Sequence, residues 1–296
     1  MMIVYGVLLL LYLVEITQAG GDAIVTTAST TASTTASTTA YTLGSDLLYP
    51  YGSKVDYLSP QDDDGGPPQL TLTTNVPFFG EMYSSFYMNN NGFLSLKFNI
   101  TDYRPPSQTV SYPFLAPFWS DVDNTQEGLI YYRQTNDSDL LVWATSQLKT
   151  YFRLYKFNAT WIFVATWEKV MFHGSKTTQR NTFQVVLISD GKLTFALFNY
   201  EALQWPSYLN GPYALASLYN GTSNYTLPGS LTSSMTNLVT GTNVNVTGRW
   251  AFNIDSITIY FTETFIGKCN EIVTNNFTKI NILMANTSHL HLYTFY

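Results

Sequence analysis

The sequence predicts an all-β, mostly antiparallel fold: a β-sandwich-like single domain over residues 43–255, preceded by a disordered Thr/Ser/Ala stalk. Three observations predict it. Apolar residues recur with period two rather than 3.6. The apolar runs are rich in Phe, Tyr, Trp, Val and Thr, which fit a pleated, half-buried surface. Gly, Pro, Asn and Asp break those runs at short intervals, as the turns of a sandwich or barrel do.

The strands follow in chain order. Residues 69–74 place Leu70 and Leu72 on one face, with Thr71 and Thr73 on the other. Residues 93–98 align Leu94, Leu96 and Phe98. Residues 128–133 put Ile130 with Tyr132, and residues 161–170 align Trp161, Phe163, Ala165 and Trp167. Residues 183–188 and 193–198 are apolar on nearly both faces, as central strands are, and Asp190-Gly191 between them signals a hairpin. Residues 249–261 supply one or two closing strands. No convincing amphipathic helix is expected.

The N-terminus sets the compartment. An apolar run from Ile3 to Val14 ends in Thr17-Gln18-Ala19 and Gly20. It is shorter than the roughly 20 residues of a membrane span, and its small-residue end suits signal peptidase. Residues 1–19 read as a signal peptide cleaved after Ala19. Residues 20–42 read as a mucin-like linker, in which 26–40 repeat Thr, Ala and Ser. That repeat offers no core-forming side chain and many hydroxyls for O-glycosylation. No later segment is long and apolar enough to span a bilayer, and no lipid-anchor signal is expected at the C-terminus.

Composition narrows the function classes. The formal charge is −6 and no Lys/Arg cluster stands out, which argues against nucleic acid as a partner. Charged residues make up 11% of the chain and aromatics 16%, so Ser, Thr, Asn and attached sugars must keep it in solution. The sequon N-x-S/T occurs at Asn99, Asn136, Asn158, Asn220, Asn224, Asn245, Asn276 and Asn286, mostly at strand ends and loops where a glycan can project. The single cysteine, Cys269, excludes an intramolecular disulfide and leaves an intermolecular disulfide or a free thiol. The globular part must therefore hold by its core alone, which a domain of about 200 residues can do.

The acidic turns are the best site candidates. Asp62, Asp63 and Asp64, joined by Asp121 and Asp123, offer hard oxygen ligands to Ca²⁺. The same residues before Gly65-Gly66 also make good turn chemistry. The stretch from Asp121 does not continue as an EF-hand, because Gln126 stands where that loop needs Gly. Enzyme motifs are poorer. Ser146-Gln147-Leu148-Lys149 lacks companion motifs. His173, His289 and His291 form no metalloprotease motif, and no Gly-rich phosphate loop is present. No catalytic residues and no cofactor are assigned, and the chain is expected not to be an enzyme.

A set of motifs in fixed order carries a resemblance. It opens with Leu48-Tyr49-Pro50-Tyr51-Gly52, Asp62-Asp63-Asp64-Gly65, Pro77-Phe78-Phe79-Gly80 and Asn89-Asn90-Asn91-Gly92. It continues through Ala116-Pro117-Phe118-Trp119-Ser120-Asp121-Val122-Asp123, Ala165-Thr166-Trp167, Asn181-Thr182-Phe183-Gln184 and Gly248-Arg249-Trp250. Together they resemble the nidogen-like (NIDO) domain of extracellular-matrix proteins, in its alpha-tectorin form. Physically, Phe78, Phe79, Phe118 and Trp119 are expected in the core, and Asn91-Gly92 is expected to supply positive-φ residues for a tight turn.

The resemblance implies a secreted glycoprotein of the extracellular matrix, acting in cell–matrix or matrix–matrix adhesion with other matrix glycoproteins as partners. The alternative is a secreted Ca²⁺-dependent, lectin-like module. Members of that family continue into cysteine-rich modules. Residues 256–296 do not resemble one and are expected to form a truncated or irregular tail.

Overall fold

A computed structural model describes residues 47–107, 109–209 and 211–256, together with the backbone of a hairpin formed by Ile280–Asn286 and His289–Phe295. The signal peptide, the stalk, Cys269 and Asn276 lie outside the described residues, and of Asn286, His289 and His291 only the backbone is described.

Two antiparallel sheets form the domain. The first is built from β1 (Tyr57–Leu58), β7 (Leu129–Thr135), β8 (Trp161–Phe172), β9 (Asn181–Ser189), β10 (Thr194–Leu203) and β13 (Arg249–Asn253), in that spatial order. The short β6 (Val122–Asp123) pairs with the far end of β8. The second sheet runs β12 (Asn224–Thr226), β11 (Leu215–Tyr219), β5 (Phe114–Trp119), β4 (Phe93–Ser95), β3 (Glu81–Asn89) and β2 (Leu70–Phe78). The remaining hairpin pairs β14 (Ile280–Asn286) with β15 (His289–Phe295).

Period-two alternation sorts the first sheet's side chains between two cores. Trp161, Phe163, Ala165 and Trp167 of β8, Phe183, Val185 and Leu187 of β9, and Ala196 and Phe198 of β10 face the other sheet. Phe78, Phe79, Phe86 and Phe118 meet them from the second sheet's side. Their intervening neighbours, Ile162, Val164, Val186, Ile188, Phe195 and Leu197, bury on the outer face. The cover for that face is a helix, contrary to the expectation of none. This helix, α1 (Ser138–Phe152), is capped by the Asp137 carboxylate, which accepts from the backbone N–H of Asp139 at 3.1 Å and Leu140 at 3.0 Å. It packs Leu140, Ala144 and Leu148, spaced four apart, onto those side chains and ends at Arg153 in the left-handed region. The expectation of no amphipathic helix fails because Val142, Trp143, Thr145, Thr150 and Tyr151 dilute the helical pattern with residues that also favour strands. Strands apolar on both faces were the available signal, since each face requires a cover.

The second sheet's outer face is covered by the connection between β4 and β5. Phe93, Phe114, Trp119 and Tyr219 bury there beneath Ile100, Val110 and Tyr112. Phe93 and Trp119 stack with ring centroids 3.8 Å apart. Strand β4 ends at Ser95, so Phe98 does not join Leu94 and Leu96 in the core and is 53% exposed. In the turn before β4 only Gly92 takes positive φ, +85°, and a Cβ there would lie 1.9 Å from the Phe118 carbonyl oxygen. Asn91 is needed in that turn for its side chain instead. The hairpin at Asp190-Gly191 forms as expected, with Gly191 at φ +86°.

Candidate functional site

The polar motifs of the sequence converge on two places. The first lies between the outer face of the first sheet and the incoming chain. Gln184 is fully buried: its Oε1 accepts from Tyr49 N at 2.8 Å and Asn199 Nδ2 at 3.1 Å. Its Nε2 donates to Tyr49 O at 3.0 Å and Thr166 Oγ1 at 2.8 Å. Arg249, also fully buried, donates from Nε to Asn199 Oδ1 at 2.8 Å, from Nη1 to the Tyr151 hydroxyl at 2.9 Å, and from Nη2 to Leu47 O. This network ties α1, β9, β10, β13 and the opening Leu48-Tyr49-Pro50 segment together, with every lone pair of the Gln184 amide oxygen and both its amide hydrogens in use.

The second place is the loop end of the sandwich, where the β1–β2 connection, the β3–β4 turn, the β5–β6 step and the end of β8 meet. The asparagines build it. Asn90 accepts from Ser59 Oγ at 2.7 Å and donates to Pro60 O at 2.9 Å and Asp62 O at 3.1 Å. Asn91 accepts from Val122 N at 2.7 Å and donates to Asp64 Oδ1 at 3.0 Å. Asn89 accepts from Asn91 N at 2.7 Å and donates to Ile100 O at 2.7 Å. These buried amides act as fixed pegs that add to the few backbone hydrogen bonds of these loops, among them Asn90 N to Gly65 O and Ser120 N to Asn91 O.

The structure divides the five predicted acidic ligands by role. Asp62 is turn chemistry: its Oδ1 accepts from Asp64 N at 3.1 Å, and a Cβ on Gly65 would meet its Oδ2 at 2.5 Å. Asp64 has one oxygen committed to Asn91. Asp63 and Asp123 instead come together around His173, a residue that belongs to no metalloprotease motif in the sequence. Their ligand atoms lie within 4.8 Å of one another. The His173 Nδ1–H donates to Asp63, 3.0 Å from Oδ1 and 2.9 Å from Oδ2, and lies 3.8 Å from Asp123 Oδ2. Asp123 Oδ1 is taken by the Thr125 N–H and hydroxyl at 2.9 and 2.6 Å, which turns Oδ2 toward the imidazole. Register explains the meeting: β6 pairs Asp123 with Met171, and His173 N donates to Asp121 O at 3.0 Å. The one available sequence signal was that His173 directly follows the long strand over 161–172.

Asp121 stands behind this trio, 6% exposed, and no hydrogen bond from a described residue reaches its carboxylate. Burial pushes its pKa up to about 6, helped by the negative charges of Asp63, Asp64 and Asp123 and opposed by His173. The hydrogen bond to Asp63 raises His173. Burial raises Asp63 as well, against the pull of that same hydrogen bond. The next residue back, Ser120, has a buried hydroxyl without a partner among the described residues.

A separate cleft of about 310 Å³ opens where β1 and β7 approach β2, lined by Tyr57, Gln69, Leu70, Thr71, Tyr132 and Gln134 among others. Most of its polar groups are committed to the sandwich. Gln134 donates to Thr71 O at 2.8 Å and accepts from Thr73 N at 2.9 Å and Trp161 Nε1 at 3.0 Å. Arg133 is held by Asp56 in a buried pair.

The predicted glycosylation sites fall mainly at the far ends of these strands. Asn136 and Asn158 flank α1 at the end of β8 opposite His173, and Asn220 and Asn224 form the β11–β12 hairpin at the end of β5 opposite Asp121. Asn99, Asn136, Asn158, Asn224 and Asn245 are exposed, and Asn220 is half-buried. Among the described residues, no helix is long and apolar enough to cross a membrane.

Comparison with known proteins identifies the chain's relatives. The family model described as "Nidogen-like domain" matches residues 84–256. The alpha-tectorin of Mus musculus is 42% identical over 226 residues, covering 71% of this chain and 10% of that protein. The alpha-tectorin of Gallus gallus is 38% identical over 224 residues, 70% of this chain and 10% of the relative. Nidogen-2 of Mus musculus is 30% identical over 243 residues, 72% of this chain and 17% of the relative. The chain thus spans about a tenth of the alpha-tectorins' length. No solved structure matches.

Proposed function

We propose, from the premise that this chain belongs to the nidogen-like domain family, that it is a structural glycoprotein joining other matrix glycoproteins through this domain. Its setting is the extracellular matrix, that of alpha-tectorin and the nidogens. The observation that carries the reading is the family match over residues 84–256 together with 42% identity to alpha-tectorin. Glycans on Asn136, Asn158, Asn220 and Asn224 would cover the α1 side and the β11–β12 hairpin, and one on Asn99 would stand at the Ile100 edge of the acidic loop end, leaving the Asp63 and His173 side to meet a partner. Cys269 supplies one thiol for linking chains.

The test is expression of the whole chain in secretory cells, with intact mass and size measured before and after deglycosylation and reduction, followed by binding to immobilised matrix glycoproteins. Secretion, a large mass loss on deglycosylation and saturable matrix binding are expected. Retention inside the cell, or a secreted monomer indifferent to every matrix glycoprotein, would sink the proposal. A second reading, sugar binding, has one observation in its favour: Tyr57, 70% exposed, overhangs the cleft with its ring 5.8 Å from that of Tyr132. A glycan array probed with wild type and Tyr57→Ala separates the two, since only sugar binding requires that ring.

A further inference from the structure

We infer that Asp63, Asp123 and His173 form a divalent-cation site of the zinc class at the loop end of the sandwich, with Asp121 as the charge behind it. The donor set decides the class. Calcium takes six to eight oxygens, whereas a set of two carboxylates and an imidazole nitrogen suits zinc and its neighbours. Two ligands on a tetrahedral zinc ion with bonds of about 2.0–2.1 Å sit about 3.3 Å apart. The separations from His173 Nδ1, 2.9 Å to Asp63 and 3.8 Å to Asp123, bracket that edge. The side chains of His173 and Asp63 are 56% and 37% exposed, so an ion can reach them without opening the core.

Asp121 is the independent sign that something positive belongs here. It is more than nine-tenths buried and has no hydrogen-bond partner among the described residues. It lies two positions before Asp123, and its backbone carbonyl accepts from His173 N at 3.0 Å. A fold that keeps such an anion without a donor incurs a desolvation cost that a bound cation would offset. Ligation through Nδ1 uses the neutral ring with its proton on Nε2: an imidazolium releases to solvent the Nδ1 proton now shared with Asp63, and a neutral ring gives up that proton and takes one at Nε2. Three protein ligands leave a fourth position for water or for a side chain from a partner.

The experiment is calorimetric titration of the chelator-treated, full secreted chain with zinc chloride and, separately, calcium chloride. One saturable zinc site per chain is expected, with calcium at least tenfold weaker. The variants His173→Ala and Asp63→Asn should each weaken zinc at least tenfold. A combined Cys269→Ser, His289→Ala, His291→Ala variant should retain the site. Independently of any variant, zinc should shift the His173 imidazole resonances of the wild-type protein. Zinc binding indifferent to His173→Ala, binding lost in the combined tail variant, preference for calcium, or an unmoved His173 resonance would each overturn the assignment.

Discussion

Around Gln184 and around Asp121 the same sandwich buries polar side chains in two opposite ways. Gln184, Asn199, Tyr49 and Arg249 sit under α1 with their hydrogen bonds made within the network. Asp121 is nearly as buried, yet its carboxylate meets no donor among the described residues and faces further carboxylates. A closed network specifies one docking of the chain and stabilises it. An incomplete one works against stability, and a fold tolerates it where function requires the charge. The two regions therefore respond to substitution with opposite signs, and that contrast is what experiment can break or sharpen.

The largest effect is expected from Arg249→Ala. It leaves Asn199 Oδ1, the Tyr151 hydroxyl and Leu47 O without their shared donor and should cost about 3 kcal/mol or more in urea unfolding. Next comes Gln184→Ala, expected to cost about 2–3 kcal/mol, because it strands both main-chain groups of Tyr49 together with Asn199 Nδ2. If either variant unfolds at the wild-type urea midpoint, the network does not hold the incoming chain.

Asp121→Asn should act in the other direction. In chelator at pH 7 it is expected to stabilise by about 1–2 kcal/mol, since the amide resembles the protonated form that the fold prefers. The sign follows from linkage. A carboxyl raised to about 6 holds its proton more tightly in the folded state, so its contribution to stability is present at low pH and is lost as pH rises from about 4 through 6. The wild-type urea midpoint should fall over that window, and the variant should flatten the fall. A midpoint that rises with pH in both proteins would remove the contrast with Gln184.

The smallest effect belongs to His173→Ala, expected within about 0.5 kcal/mol of wild type in chelator because the pair it breaks is half exposed. The His173 imidazole titration, followed by NMR, should lie above the ordinary histidine range and drop in Asp63→Asn, which removes the charge behind the main upward cause. The pair's small contribution is complete at low pH and fades as pH rises through that elevated value.

Much of this was legible in the chain. Alternation over 161–170 and 183–198 put Trp161, Phe163, Trp167, Phe183 and Val185 in the inter-sheet core, where they lie. The paired Phe78-Phe79 and Phe118-Trp119 were legible as core because large aromatics bury wherever the strand allows. Helix α1 was not, because its apolar face of Leu140, Ala144 and Leu148 is interleaved with Val142, Thr145 and Thr150. In the acidic turns the residue types were visible but their roles were not. Nothing local separates Asp62, which closes a turn, from Asp63, which meets His173.

The sequence by itself determined the all-β class, the turn glycines and the membership in the nidogen-like family, because periodicity, turn chemistry and ordered motifs are local properties of the chain. Tertiary structure alone decided which acids face one another. His173 and Asp63 stand 110 positions apart: Asn90 and Asn91 hold the loop of Asp62 to Asp64 beside the end of β8, while β6 pairs with β8 in the register that sets Asp123 against Met171. A one-residue slip in that pairing would turn Asp123 to the opposite face.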